Sequence, residues 1–243
     1  MLWLLLILGG CAGGSSKPPV DNARAADANA ALGMDFLRRG DYQRALEALL
    51  KAHRFDRDHV QANWGLGLSY SALAEPDQAR DYFEKAVRLA PRPDILNSYG
   101  AFLCEQGDVA EAVTQFERAA DHPRYTRPAL PLTNAGLCLF QANRLDDADL
   151  FYRRALAAEP RYVAAIGRLA ELRYAQGQYA EAQSLFQRAD GQGELSGELL
   201  LQAARTELAL DHHGPALNYL RRYNLAHPGR ERTLGQISRP GER

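Results

Sequence analysis

Three cysteines provide the most reactive side chains of this 243-residue sequence, and their surroundings differ. Cys11 lies between ten apolar or glycine residues, MLWLLLILGG, and the flexible stretch AGGSSKPP. Cys104 and Cys138 lie in alanine- and leucine-rich segments that are typical of helices. A thiol can be acylated, can form a disulfide or can remain a small buried side chain. The position of each cysteine in the fold therefore decides its chemistry.

The segment before Cys11 is too short to cross a bilayer, because a membrane-spanning helix needs about 20 apolar residues. It is typical of the apolar region of a secretory signal, with Gly9 and Gly10 placed before the cleavage point. The order Leu8-Gly9-Gly10-Cys11 resembles a bacterial lipoprotein box, which implies acylation of the Cys11 sulfur; Ala12 after it matches sorting to the outer membrane. Because no basic residue precedes the apolar run, we expect the natural start codon to lie upstream. A buried N-terminal strand is the alternative interpretation.

The composition disfavours several function classes. With 29 basic and 30 acidic side chains, the chain has no long-range field that would recruit nucleic acid. The six histidines show no zinc-binding spacing, and neither a G-x-S-x-G elbow nor a phosphate-binding glycine loop is present in the sequence. Asp146, Asp147 and Asp149 cluster at a predicted helix start, where acids are electrostatically favoured, and His212-His213 falls in a predicted turn. We therefore predict no metal site, no cofactor and no enzymatic activity.

An internal repeat positions these side chains. Alanines recur at intervals of about 34 residues, which is the tetratricopeptide period. The aligned alanines are Ala45, Ala79, Ala112, Ala148, Ala182 and Ala216. A small residue precedes each of them and a large one follows, and turns such as Gly40-Asp41, Gly107-Asp108 and Gly177-Gln178 separate two helices within a unit. The pattern predicts an all-α, right-handed superhelix of six tetratricopeptide repeats, each an antiparallel helix pair.

Four segments follow from this pattern. We predict a signal peptide over residues 1–10, a lipidated flexible tether over residues 11–25 and the six repeats over residues 26–228. Residues 229–243, GRERTLGQISRPGER, are polar and rich in arginine and glycine, so we expect a disordered C-terminal tail.

Two stretches carry a more specific resemblance: NSYGAFLCEQG at residues 97–107 and TNAGLCLF at residues 133–140. Together with the lipoprotein box and six repeats, they resemble the type IV pilus biogenesis and stability family. The resemblance implies a pilotin, an outer-membrane lipoprotein on the periplasmic face that binds the secretin subunit and promotes its localisation and multimer assembly. We expect a monomer in the absence of the partner. The alternatives are a periplasmic scaffold for other envelope-assembly or cell-wall proteins, and a structural partner of the assembled pilus machinery.

Cys104 and Cys138 fall on the first helices of the third and fourth units. Because neighbouring first helices pack side by side, the two thiols can face each other across a repeat boundary, and a secreted compartment would oxidise them. A disulfide agrees with the family resemblance. The alternative is that both cysteines are small buried side chains.

The first helices of such a superhelix line its concave surface, where a partner would bind. The residues predicted to bind it are Met34, Leu37, Trp64, Leu68, Leu137 and Phe140. An exposed apolar patch of this kind marks a docking site for an extended or helical segment. The alternative is that the superhelix itself, or the residues before the first repeat, cover these side chains.

Overall fold

The computed structural model describes residues 21–237, so Cys11 and the predicted signal peptide lie outside the described residues. Twelve α-helices form six consecutive hairpins, which we number as units one to six, and no strand occurs between residues 21 and 237. The helices are α1 (Asn22–Arg38), α2 (Tyr42–Phe55), α3 (Val60–Ala72), α4 (Pro76–Leu89), α5 (Pro93–Glu105), α6 (Val109–Ala120), α7 (Ala129–Gln141), α8 (Leu145–Ala158), α9 (Val163–Ala175), α10 (Tyr179–Asp190), α11 (Gly197–Ala209) and α12 (His213–Ala226), followed by the short α13 (Leu234–Ile237). The predicted all-α array of six helix pairs is confirmed.

The turn inside every unit contains one residue with a left-handed backbone. These residues are Gly40, Ala74, Gly107, Asn143, Gly177 and Asp211, with φ between 59° and 85°. The next N–H donates to the carbonyl five residues back, as from Asp41 to Phe36 at 3.0 Å, which closes the helix end. The predicted glycine turns are therefore confirmed. Three turns reach the same geometry without glycine, at a cost of about 1 kcal/mol each.

Each unit is closed by a small residue on the first helix and a large one on the second. A Cβ on Gly136 would lie only 2.5 Å from Cε1 of Tyr152, and one on Gly67 only 2.9 Å from the ring of Phe83. The repeat alanines of the second helices are all fully buried. Close approach of two helices therefore depends on these small residues, as in other ridge-and-groove packings.

The curvature follows from which helices touch. Consecutive first helices contact one another, from α1 and α3 through α9 and α11, whereas consecutive second helices between residues 21 and 237 do not. Each second helix contacts the first helix of the next unit instead. Because the first helices lie closer together than the second ones, they form the concave side of the superhelix.

Both ends of the repeat array differ from the prediction. The first helix begins at Asn22, inside the segment predicted to be a tether over residues 11–25, because the Asp21 carboxylate accepts a hydrogen bond from the N–H of Arg24 at 3.2 Å and caps the helix. The predicted disordered tail over residues 229–243 is also wrong in part. Within it, α13 buries Ile237 to 4% exposure against α11 and α12, and Leu234 packs against the same cluster. These two apolar residues, three positions apart, pack the segment onto unit six.

Candidate partner-binding face

We call the concave surface formed by the first helices the inner face. All six residues predicted to bind a partner lie on these helices, and all are half-buried. Trp64, Leu68 and Phe140 pack against the central core, and Leu37 packs against the smaller core cluster of units one and two. The superhelix itself therefore covers part of this apolar surface. The remainder is open, and its role in binding stays a prediction.

Trp64 is the largest side chain of the inner face in units one and two. The guanidinium carbon of Arg92 lies 5.7 Å from its ring centroid, within range of a cation–π interaction. Met34 reaches the same region, since a Cβ on the neighbouring Gly65 would lie 3.0 Å from its sulfur. The Trp64 Nε1–H is buried and has no hydrogen-bond partner within residues 21–237. This part of the inner face is thus apolar, with an unused donor at its base.

Units three and four are joined across the inner face. Asn134 Nδ2 donates to Asn97 Oδ1 at 2.9 Å, and the Cys104 and Cys138 sulfurs form a disulfide, with the two Cα atoms 5.7 Å apart. Both contacts link α5 with α7. Of the two alternatives for these cysteines, the structure contains the disulfide. Cys138 is also buried, with 1% of its surface exposed.

The inner face changes character in units five and six. Arg168 Nη1 donates to Glu171 at 2.7 Å, and its Nη2 donates to Glu198 at 2.6 Å. Partial burial lowers the pKa of Arg168, but these two hydrogen bonds outweigh it and raise the pKa overall; the bond to Arg168 also lowers the pKa of Glu198. Here the surface presents charges that already have partners.

Below this charged part lies a buried hydroxyl. Tyr152 is fully buried, and its hydroxyl has no hydrogen-bond partner within the described part of the chain. Burial raises the pKa of Tyr152, and the nearby Glu171 raises it further. The phenol therefore stays protonated, and its ring serves to fill the space beside Gly136.

A second charged network links units four and five away from the inner face. Arg173 is 5% exposed and donates to Glu181 at 2.9 Å, to Gln176 at 2.9 Å and also to Asp149. Interpreting Asp149 as one of several helix-start acids was therefore incomplete, because it crosses to the next unit. His212, which falls in a predicted turn, likewise has a partner, since its Nδ1 lies 3.0 Å from Glu207 Oε2. Sequence reasoning missed both contacts, because neither pair has the spacing of three or four residues that places two side chains together on one helix.

The described residues hold no cluster of three or more metal-ligating side chains, and none of their helices is long and apolar enough to cross a membrane. On the inner face, an apolar section in units one and two, a bridged section in units three and four and a charged section in units five and six lie side by side.

Comparison with known proteins supports this description. A family model described as "Tetratricopeptide repeat" matches residues 30–91 and 105–162, a second model with the same description matches residues 139–196, and the YpiA-like C-terminal tetratricopeptide repeats match residues 61–122. Together these matches span units one to five and end at the turn before α11.

Proteins of type IV pili are among the similar ones. The chain is 27% identical to the type IV pilus assembly protein PilF of Pseudomonas aeruginosa over 236 residues, which cover 94% of this chain and 93% of that protein. It is 26% identical to a crystal structure of PilW, a widely conserved type IV pilus biogenesis factor, with a TM-score of 0.71 over 85% of this chain and 95% of that one. A structure of P. aeruginosa PilF gives 25% identity and a TM-score of 0.69, over 86% of this chain and 94% of that one. The likeness extends over almost the whole length of each.

Proposed function

We propose that this chain, which belongs to the tetratricopeptide-repeat family and is homologous to the type IV pilus assembly protein PilF, acts as a pilotin in type IV pilus biogenesis. The full-length match supports the general part of this proposal, which is that the chain is a tetratricopeptide protein of type IV pilus biogenesis. The finer part is that it binds the secretin subunit and promotes localisation and multimer assembly of the secretin in the outer membrane.

The inner face supports binding of a protein segment. Met34, Leu37, Trp64 and Leu68 give it half-buried apolar side chains on two adjacent first helices. Half-buried apolar residues lose little further entropy on binding, yet still have surface to remove from water. We propose that an apolar segment of the secretin binds to this section.

The lipoprotein box supports the location. Acyl chains on Cys11 would hold the repeats at the inner leaflet of the outer membrane. The nine residues between Cys11 and the cap residue Asp21 would form a tether with an end-to-end distance of about 15–18 Å. A client bound to the inner face would then travel with the lipoprotein to the same membrane.

The test is to delete the gene and follow secretin multimers through fractionated membranes. We expect secretin to accumulate in the inner membrane as monomer, and complementation with the wild-type chain to restore outer-membrane multimers. Secretin that is correctly placed but unstable would instead indicate a structural partner of the assembled machinery. Co-purification of cell-wall enzymes without secretin would indicate the envelope scaffold.

A pair of variants tests the binding section. Leu37→Glu with Trp64→Glu is expected to abolish capture of purified secretin, because both charges would enter an apolar contact. Leu150→Glu is the matched control, since Leu150 lies on a second helix and is 55% exposed. Circular dichroism and thermal unfolding show whether the double variant folds, and Trp64→Phe, which keeps the apolar ring, should still bind. Undiminished capture by a folded double variant would refute the site.

Lipid attachment has its own test. Mass spectrometry of the mature N-terminal peptide should show a diacylglyceryl increment on Cys11, and an inhibitor of lipoprotein signal peptidase should block its processing. Cys11→Ser should release the chain into the periplasmic fraction with its helicity unchanged. A Cys11 peptide without fatty acid would refute the lipid anchor. Because this result says nothing about the binding face, the secretin-capture assay is run in parallel.

A further inference from the structure

Within residues 21–237, the last unit of the array has one repeat interface that is only partly covered. In units one to five the second helix contacts the first helix of the following unit. In unit six the second helix, α12, is followed by the four-residue α13 and by no longer helix up to residue 237. The surface of α10 that packs against α11 therefore has an equivalent on α12, and no full-length helix among the described residues packs against that equivalent surface.

One repeat position makes this visible. After three of the repeat alanines, the next residue is hydrogen-bonded to the following unit. Arg80 donates to Asp108, Asp149 accepts from Arg173, and Gln183 donates to Glu207 at 2.8 Å. In unit six the same position is Leu217, and it is 52% exposed. A side chain at a position that elsewhere forms the junction thus faces solvent here, and it is apolar.

Leu217 is part of a groove between α12 and the C-terminal segment. The groove has a volume of about 550 Å³, and four leucines form much of its lining: Leu217, Leu220, Leu225 and Leu234. Leu225 is 77% exposed, the highest value among the large apolar side chains of residues 21–237 that are exposed. An open apolar groove of this size is large enough to accept side chains of a helix.

The charges at the groove favour one sign of partner. Arg221 and Arg232 both line it, and no carboxylate within residues 21–237 forms an ion pair with either guanidinium. Glu231 also lines the groove, but its carboxylate accepts a hydrogen bond from the N–H of Gly229 at 2.9 Å. Acidic side chains on a partner would therefore find two unpaired cations.

We propose that this C-terminal groove binds an amphipathic α-helix of a protein partner, with leucine-like residues on one side and carboxylates beside them. The helix would take the place of the first helix of a seventh unit. The model for such an occupant is α11, which packs Leu199 and Leu200 into the core next to α10 and carries Glu198 and Glu207. The groove is separate from the inner face, so this interaction is independent of secretin binding.

Two other occupants fit less well. The six residues that follow Ile237 in the sequence, SRPGER, carry two arginines against one glutamate and no large apolar side chain. Their net charge is positive, so they match neither the apolar lining nor the charge of the groove. A second copy of this chain placed with its own groove against the first would bring four arginines together. Like charges at an interface oppose association.

The test uses two synthetic helical peptides of about 18 residues with the same leucine stripe, one flanked by glutamates and the other by lysines. Fluorescence anisotropy against the full mature chain measures binding. We expect the glutamate peptide to bind at least about tenfold more tightly than the lysine peptide. Arg221→Glu with Arg232→Glu should reverse this preference.

Matched leucine variants locate the site. Leu217→Gln should weaken the glutamate peptide by about tenfold, whereas Leu150→Gln, equally exposed on α8, should leave its affinity unchanged. Equal binding of the two peptides, or equal effects of the two leucine variants, would overturn the proposal. So would concentration-dependent dimerisation that Leu217→Gln abolishes while neither peptide binds, which would identify a second copy as the occupant. A further variant replaces residues 238–243 by glycine and serine. If the glutamate peptide bound to this variant but not to the wild type, the proposal would also be overturned.

Discussion

Units one to four and units five to six use the same hairpin but fill its centre differently. In the first four, a glycine on the first helix faces the large side chain of the second, as Gly136 faces Tyr152. In the last two, alanine occupies this position, as Ala170 does in unit five, where the large side chain is Phe186. The helix pairs of the first group therefore depend on a missing methyl group, whereas those of the second already accommodate one.

The junctions differ in the same order along the chain. A disulfide between Cys104 and Cys138 joins units three and four. Ion pairs occur at earlier junctions too, as between Arg80 and Asp108, but buried charged side chains join the later units. Arg173 lies between units four and five, and Glu207 between units five and six. Buried charges need partners placed within hydrogen-bond distance, and they lose stability when one partner is removed. The first group should thus be sensitive to redox state and packing, and the second to charge and pH.

The largest effect on stability is expected from the disulfide. Cys104→Ala with Cys138→Ala should lower the free energy of unfolding by about 3–4 kcal/mol, because the unfolded chain regains the entropy of an open loop. Guanidinium denaturation of the two proteins measures the difference. Reductant should bring the wild type close to the variant and leave the variant itself unchanged. A variant that reductant still destabilises would contradict the assignment of the effect to this bridge.

The second largest effect is expected from the charged junction. Arg173→Met should lower the free energy of unfolding by about 2 kcal/mol, since it leaves Asp149 and Glu181 without their buried partner, although both carboxylates keep some contact with water. Arg153→Met is the matched control, because Arg153 also binds Asp149 but is 62% exposed. Its effect should stay below about 0.5 kcal/mol. Equal losses in the two variants would show that burial of Arg173 contributes nothing.

The sequence was sufficient to predict the hairpins but not the charged networks. The spacing of the repeat alanines defines units one to six, because every unit must bury the same small residue between its helices. The partner of Asp149 depends instead on how far one unit is rotated against the next, and the repeat period does not contain that angle. Whether Cys104 and Cys138 meet depends on the same angle, so the sequence left the disulfide as one of two alternatives. The fold of α13 was missed because the composition of residues 229–243 outweighed Leu234 and Ile237.

The packing difference between the two groups predicts a smaller effect. Gly136→Ala should destabilise the chain by about 1–2 kcal/mol, because the new methyl group meets the fully buried ring of Tyr152, and the gain in helix propensity offsets only part of that cost. Gly214→Ala is the control, since it also lies in a helix but a Cβ there would meet no atom within 4 Å. Urea denaturation should show a neutral or stabilising effect for the control. A neutral Gly136→Ala would mean that the ring can shift.

Acidification should change the stability of the two groups of units unequally. This is the smallest of the four predicted effects. Burial raises the pKa of Asp149, but hydrogen bonds from Arg153 and Arg173 outweigh it and hold the pKa below its ordinary value of 3.8. The hydrogen bond from Arg168 lowers the pKa of Glu198 below 4.5. A carboxyl group whose pKa is lower in the folded state stabilises the fold above its unfolded pKa, and this contribution disappears as the pH falls through the folded pKa.

The stability that Arg173 provides should therefore decrease between about pH 5 and pH 2, whereas the stability that the disulfide provides should not. The measurement is the difference in free energy of unfolding between the wild type and each variant at neutral pH and at pH values in this window. We expect the difference for Arg173→Met to narrow on acidification, because protonated Asp149 no longer needs its cation. The difference for the double cysteine variant should stay constant, since no ionisable group takes part. If both differences changed in parallel, the two kinds of junction would not be distinct in their energetics.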